Sequence, residues 1–112
     1  MRLQPDIRYT KKNVKHTPGD NTDAVVTLAA VEGEIHVIDD IWWSYDEDPD
    51  AGVGEVKIEA GGTEIYSVMV TTGGPGHIEM NGFHNNTENE QVVITCVAGG
   101  TGKACTLNVQ YR

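Results

Sequence analysis

From residue 23 onward, apolar side chains recur at every second position in short runs, and glycine-rich turns end the runs. A period of two belongs to a β-strand with one buried face; a helix would need apolar residues three and four apart. Strands are expected over 24–31, 35–45, 53–60, 64–71, 77–80, 91–97 and 104–111. Several short strands at this spacing, with turns between them, point to an all-β fold, a two-sheet β-sandwich or jelly-roll-like domain. The chain has 112 residues and shows no internal repeat, so one domain is expected. A chain of this size buries about two-thirds of its unfolded surface, enough for a modest core without metal or disulfide staples. Thirteen glycines against one Phe and two Trp imply many turns and a core of Val and Ile.

The registers can be read in part. Val56, Ile58 and Ala60 alternate with Glu55, Lys57 and Glu59, and Gly61-Gly62 follows as a tight turn. A three-residue loop would set Val56 against Val68 and Ile58 against Tyr66, and a two-residue loop would set Ile58 against Ile65; the first is preferred. Farther on, Gly99-Gly100-Thr101-Gly102 separates two alternating runs. A hairpin centred there pairs Cys96 with Cys105, Ile94 with Leu107 and Val92 with Val109, all on one face. In the longest run, Ile35, Val37, Ile41, Trp43 and Tyr45 share one parity, and Asp39-Asp40 interrupts it as a bulge or bend. Trp43 is therefore assigned inward and Trp42 outward.

Residues 1–22 differ from the rest. Their apolar residues are few (Leu3, Ile7, Tyr9, Val14), without period, and broken by Pro5, Pro18 and Gly19. Five cations against two carboxylates give this segment +3, whereas residues 23–112 carry three against fifteen, −12. We read 1–22 as an extended basic N-terminal arm and 23–112 as the β-sandwich domain. Alone, the arm cannot bury enough apolar surface to offset its ordering entropy, so contact with its own body or a neighbouring subunit must order it. Its charge serves either docking or solubility. The acidic body would repel nucleic acid and anionic membranes, so neither is an expected partner. The opening residues contain no apolar h-region and no run nears the length of a membrane span, so a soluble protein made in a cytoplasm is expected.

Catalytic and metal chemistry fits poorly. Asp46, Asp48 and Asp50 have the spacing of a calcium loop, but the required glycine is Ala51 and the distal acid is Lys57. A solvated acidic loop is the preferred reading over a looser cation site. Gly99–Lys103 lacks the spacing of a phosphate loop and joins strand to strand. His77 and His84 could meet over a turn at Asn81-Gly82, yet no third ligand accompanies them, and His16 and His36 lie elsewhere. Cys96 and Cys105 read as two buried thiols or a cross-strand disulfide, the first favoured by a cytoplasmic origin. No nucleophile with its base is legible, so no enzyme, cofactor or metal is expected.

One stretch has a wider resemblance. Trp42-Trp43-Ser44-Tyr45, Gly54-Glu55-Val56-Lys57-Ile58, Gly61-Gly62-Thr63 and Thr72-Gly73-Gly74-Pro75-Gly76-His77-Ile78 resemble small β-rich head decoration, or cement, proteins of tailed bacteriophages. The resemblance spans about a third of the chain, residues 42–80. It implies a structural protein on the capsid exterior of the virion, a homo-oligomer, with a trimer favoured, whose partner is the major capsid protein. Assembly would take place in the host cytoplasm. On that reading the arm is the fastener, with Arg2, Leu3, Ile7, Arg8, Tyr9, Lys11 and Lys12 as contacts, because tethered contacts add as intramolecular ones. The alternative is a carbohydrate-binding β-sandwich module. Its mark would be a flat exposed platform of Trp42 with Tyr45 or Tyr66.

Overall fold

The computed structural model describes residues 11–112. Eight strands follow one another: β1 (Lys12–His16), β2 (Ala24–Leu28), β3 (Ile38–Tyr45), β4 (Glu55–Ala60), β5 (Thr63–Met69), β6 (Gly74–Phe83), β7 (Val92–Cys96) and β8 (Cys105–Tyr111). They form two four-stranded antiparallel sheets, ordered β1-β8-β3-β6 and β2-β7-β4-β5. The two-sheet sandwich read from the alternation is the fold. Ile41, Tyr45, Leu107 and Val109 from the first sheet meet Val26, Val56, Ile58 and Ile94 from the second in a closed core. Burying a side chain of this size contributes about 1.5–3 kcal/mol, so the alternating residues carry the fold.

Local registers follow the side chains. Val56 stands opposite Val68 and Ile58 opposite Tyr66, as the three-residue loop required. The turn itself is tighter: Ala60 pairs with Thr63, and a bulge after Ile58 restores the register. Gly61 and Gly62 both hold positive φ, 58° and 85°, the sign a two-residue hairpin turn of matching twist demands. In β3 the ladder shifts between Ile38 and Asp40, the expected bulge. It lets Ile38 and Ile41 both face the core, three positions apart.

Three expectations need correction. First, β7 and β8 are not a hairpin: β7 lies between β2 and β4, and β8 lies in the other sheet between β1 and β3. Cys96 and Cys105 face each other through the core, with the Cys105 thiol donating to the Cys96 carbonyl at 3.5 Å. Both arrangements turn the same residues inward, so parity cannot tell two neighbours in one sheet from two strands facing across a core. Second, Asn81-Gly82 is not a turn. The strand β6 runs through it, with both residues at positive φ, where Ile38 pairs with Phe83 and Asp40 with Glu79. The extra residues are absorbed as a bulge, and the strand keeps His77, within β6, apart from His84, just past its end. Third, the boundary at residue 22 is misplaced, because residues 12–16 are β1, paired along β8 from Lys12–Tyr111 to His16–Leu107. Val25 donates its N–H to His16 Nδ1 at 2.9 Å, which ties β1 to the opposite sheet. This strand is mostly exposed and only five residues long, so it carries too few apolar positions to show a period.

Candidate functional site

The buried parity of β3 turns Asp40, Trp42 and Ser44 to the outside of the first sheet. Their cross-strand neighbours continue the same outer face. In β6 these are Glu79, His77 and Pro75, and in β8 they are Gln110, Asn108 and Thr106. Beyond β8, Asn13 and Lys15 of β1 complete the rows opposite Gln110 and Asn108. The result is an outer sheet face of amides, hydroxyls and a few charges, with one large aromatic group near its middle. Four strands at the usual spacing of about 4.8 Å make it ~14 Å wide.

The aromatic group is a pair. The imidazole of His77 lies flat against the Trp42 indole, with ring centroids 4.8 Å apart and planes 5° from parallel. His77 Nε2 donates to Asp40 Oδ1 at 2.9 Å, and the imidazole remains 39% exposed. Three side chains on two strands thus fix one another: the carboxylate aims the imidazole, and the imidazole steadies the indole. On the inner side Trp43 packs on Gly76, where the indole occupies the space a Cβ would need. Only a glycine lets the two strands keep Trp43 inside while Trp42 stands outside one position away. The β8–β1 side of the face is also braced. Gln110 Nε2 donates to Asn13 Oδ1 and Thr106 Oγ1 to Thr17 Oγ1, each at 3.4 Å.

The platform expected from the tyrosines does not form. Tyr45 is 1% exposed and donates its hydroxyl to the Val97 carbonyl at 2.6 Å. Burial pushes its phenol pKa well above the ordinary value. Tyr66 lies edge-on to Phe83 at the far edge of the sandwich, with centroids 5.7 Å apart. The sequence reading missed His77 because the partner of Trp42 is set by the β3–β6 register, and nothing near His77 in the chain marks it.

The acidic loop has a structural use. Asp46 Oδ1 accepts the Ala104 N–H at 2.9 Å, and Asp48 Oδ1 accepts the Gly73 N–H. Lys103 Nζ donates to Asp50 Oδ1 and the Asp48 carbonyl, both at 2.7 Å, and the Asp50 contact raises the Lys103 pKa. The carboxylates therefore point to three different partners and staple the 46–50, 70–73 and 97–104 loops together. Among the described residues no three His, Cys, Asp or Glu side chains converge on one point. Both cysteines are buried free thiols, and the Cys96 pKa is pushed up by its hydrogen bond with Cys105 and by burial. Both thiols are shut away from solvent by the core around them.

Of the seven residues expected to grip a partner, Arg2, Leu3, Ile7, Arg8 and Tyr9 lie outside the described residues. Lys11 reaches Asp39 at 4.0 Å and Lys12 stands over the Tyr111 ring at 6.0 Å, so both engage the chain's own domain.

No family model matches the sequence, and no curated protein matches it. Among solved structures, the fold is similar to the CBM36-1 domain of a multidomain xylanase from the hindgut metagenome of Trinervitermes trinervoides. That likeness has a TM-score of 0.56 at 13% identity and covers 92% of this chain and 97% of that one. A CBM36 carbohydrate-binding module in complex with calcium and xylotriose overlaps at TM-score 0.48 and 10% identity, over 93% and 98% of the two chains. A Bacillus endospore appendage protein of disulfide-linked pili overlaps at 0.34 and 14%, over 99% and 97%. The first likeness establishes a shared sandwich fold and nothing about ligands, because fold and function separate at such identity.

Proposed function

We propose that this chain is a non-catalytic carbohydrate-binding domain that holds a glycan on the outer face of the β1-β8-β3-β6 sheet. The observation that carries the reading is the Trp42–His77 stack, held at 4.8 Å on a sheet face otherwise lined by amides, hydroxyls and charged groups. A sugar ring is amphipathic: its C–H face packs on an aromatic plane, and its hydroxyls need donors and acceptors at the rim. An indole supplies the plane, and Asn, Gln, Thr and Ser side chains supply both hydrogen-bond roles. The part-exposed Trp42 indole, held by His77, is the aromatic surface this face offers. The sandwich likeness to a xylanase's CBM36-1 domain agrees with this reading as a matter of fold.

Decoration of a phage head by trimers bound to the major capsid protein is the other proposal open to the sequence. It draws on residues 1–9 above all, and Lys11 and Lys12 face Asp39 and Tyr111 of the same domain. No described residue favours it over the glycan reading.

The test is depletion from solution by insoluble cellulose, xylan, mannan and chitin, run with the wild type and with Trp42→Ala. The wild type should be depleted by at least one polymer, and the variant should stay in solution with an unchanged circular dichroism spectrum. Depletion by none, or equal depletion of both proteins, would overturn the reading.

A further inference from the structure

We infer that the ligand is the interior of a neutral glycan chain, and that it lies over β8, between the indole of Trp42 and β1. This rests on the carbohydrate-binding reading and adds to it a position and a chemical class. His77 of β6 stacks on one face of the part-exposed indole at 4.8 Å and 5°, so the opposite face looks toward β8. The cross-strand neighbour of Trp42 on that side is Asn108, with Thr106 and Gln110 two positions away along the strand. Two residues apart on one face of a strand is about 6.6 Å, so three polar side chains in a line offer contacts over ~13 Å. Gln110 and Thr106 are already braced from Asn13 and Thr17 at 3.4 Å each, which holds the ends of this line in place. Less side-chain entropy is then lost when a ligand binds.

Stacking sets the direction. A ring packed on the indole lies parallel to it, and His77 closes the β6 side, so the linked rings continue along the strip over β8. An open sheet face has no end wall, which suits a segment inside a chain rather than a chain terminus. Charge sets the class. Asp40 and Glu79 stand on this face, and the chain carries −9 overall, so a polyanionic glycan would be repelled. Lys15 is the one cation among the strand residues of this outer face and sits exposed at its rim. A single exposed ammonium contributes little against that background.

The test uses native affinity gels and calorimetry with three neutral polymers (arabinoxylan, mixed-linkage β-glucan, galactomannan) and two acidic ones (carboxymethylcellulose, polygalacturonate). At least one neutral polymer should retard the wild type, and its oligosaccharides should bind more tightly with length until they span the strip. Asn108→Ala should weaken binding about tenfold, the worth of one good hydrogen bond in a dry contact. Glu64→Gln, exposed on β5 in the opposite sheet, should leave it within about twofold. If Trp42→Ala abolishes binding while Asn108→Ala and Gln110→Ala do not change it, the position over β8 is wrong and the carbohydrate reading stands. Tighter binding of the acidic polymers would overturn the neutral class in the same way. If no polymer retards the wild type, this inference and the reading beneath it fall together.

Discussion

Trp43 and Gly76 show how closely single residues are matched in the sheet beneath the platform. The indole fills the space above Gly76, so a methyl group there would collide with the ring. Gly76→Ala should therefore cost about 1–3 kcal/mol by overpacking. A urea titration followed by tryptophan fluorescence would measure it, and a change below about 0.5 kcal/mol would mean the ring moves freely. Tyr45 makes a second residue-scale prediction. Burial favours its neutral phenol, so the folded protein keeps that proton to higher pH than the unfolded chain does. Stability from this group is complete below the ordinary tyrosine value near 10 and is lost as pH rises beyond it. Tyr45→Phe should lower stability at neutral pH by about 1 kcal/mol, through the lost bond to the Val97 carbonyl. It should also flatten the fall above pH 10. Urea midpoints of both proteins from pH 7 to 11 would show both effects.

Among the elements, β1 carries the clearest consequence. It covers one edge of β8, and its His16 accepts the Val25 N–H from the opposite sheet. Removing residues 1–22 deletes the strand and uncovers β8. The deletion should lower stability by at least about 2 kcal/mol, or roughly 10 °C in Tm for a domain of this size. A truncated chain that melts with the full-length protein would mean that β1 adds no stability. The loop staple behaves as an element too. Asp46 accepts the Ala104 N–H and so anchors the connection that carries the chain from β7 to β8 between the sheets. Asp46→Ala should cost about 1 kcal/mol and speed amide exchange in residues 97–104 before any other segment. Uniform exchange throughout the chain would show that the staple is not local.

At the scale of the whole molecule, alternation was enough to specify strands, their inward faces and a two-sheet sandwich. Val92, Ile94 and Cys96 face inward, as do Cys105, Leu107 and Val109, and Trp43 lies inside with Trp42 outside. These are consequences of a side-chain period of two, which is a local property of the chain. The turn chemistry of Gly61-Gly62 and the bulge at Asp39-Asp40 are local as well, and both were legible. Which strand lies beside which is not local. The same inward parity fits β7 and β8 as hydrogen-bonded neighbours or as partners across the core, and only the packing of both sheets chose the second. The arm boundary failed for a related reason: β1 is held by backbone bonds to β8, which any side chains can make. The candidate site divides along the same line. An outward tryptophan could be read from its parity, but its pairing with His77 and the row of Asn108, Gln110 and Asn13 depends on strands distant in sequence being adjacent in the sheet. Periodicity determines the face a residue takes, whereas its neighbours on that face are decided by long-range registers that only the closed sandwich sets.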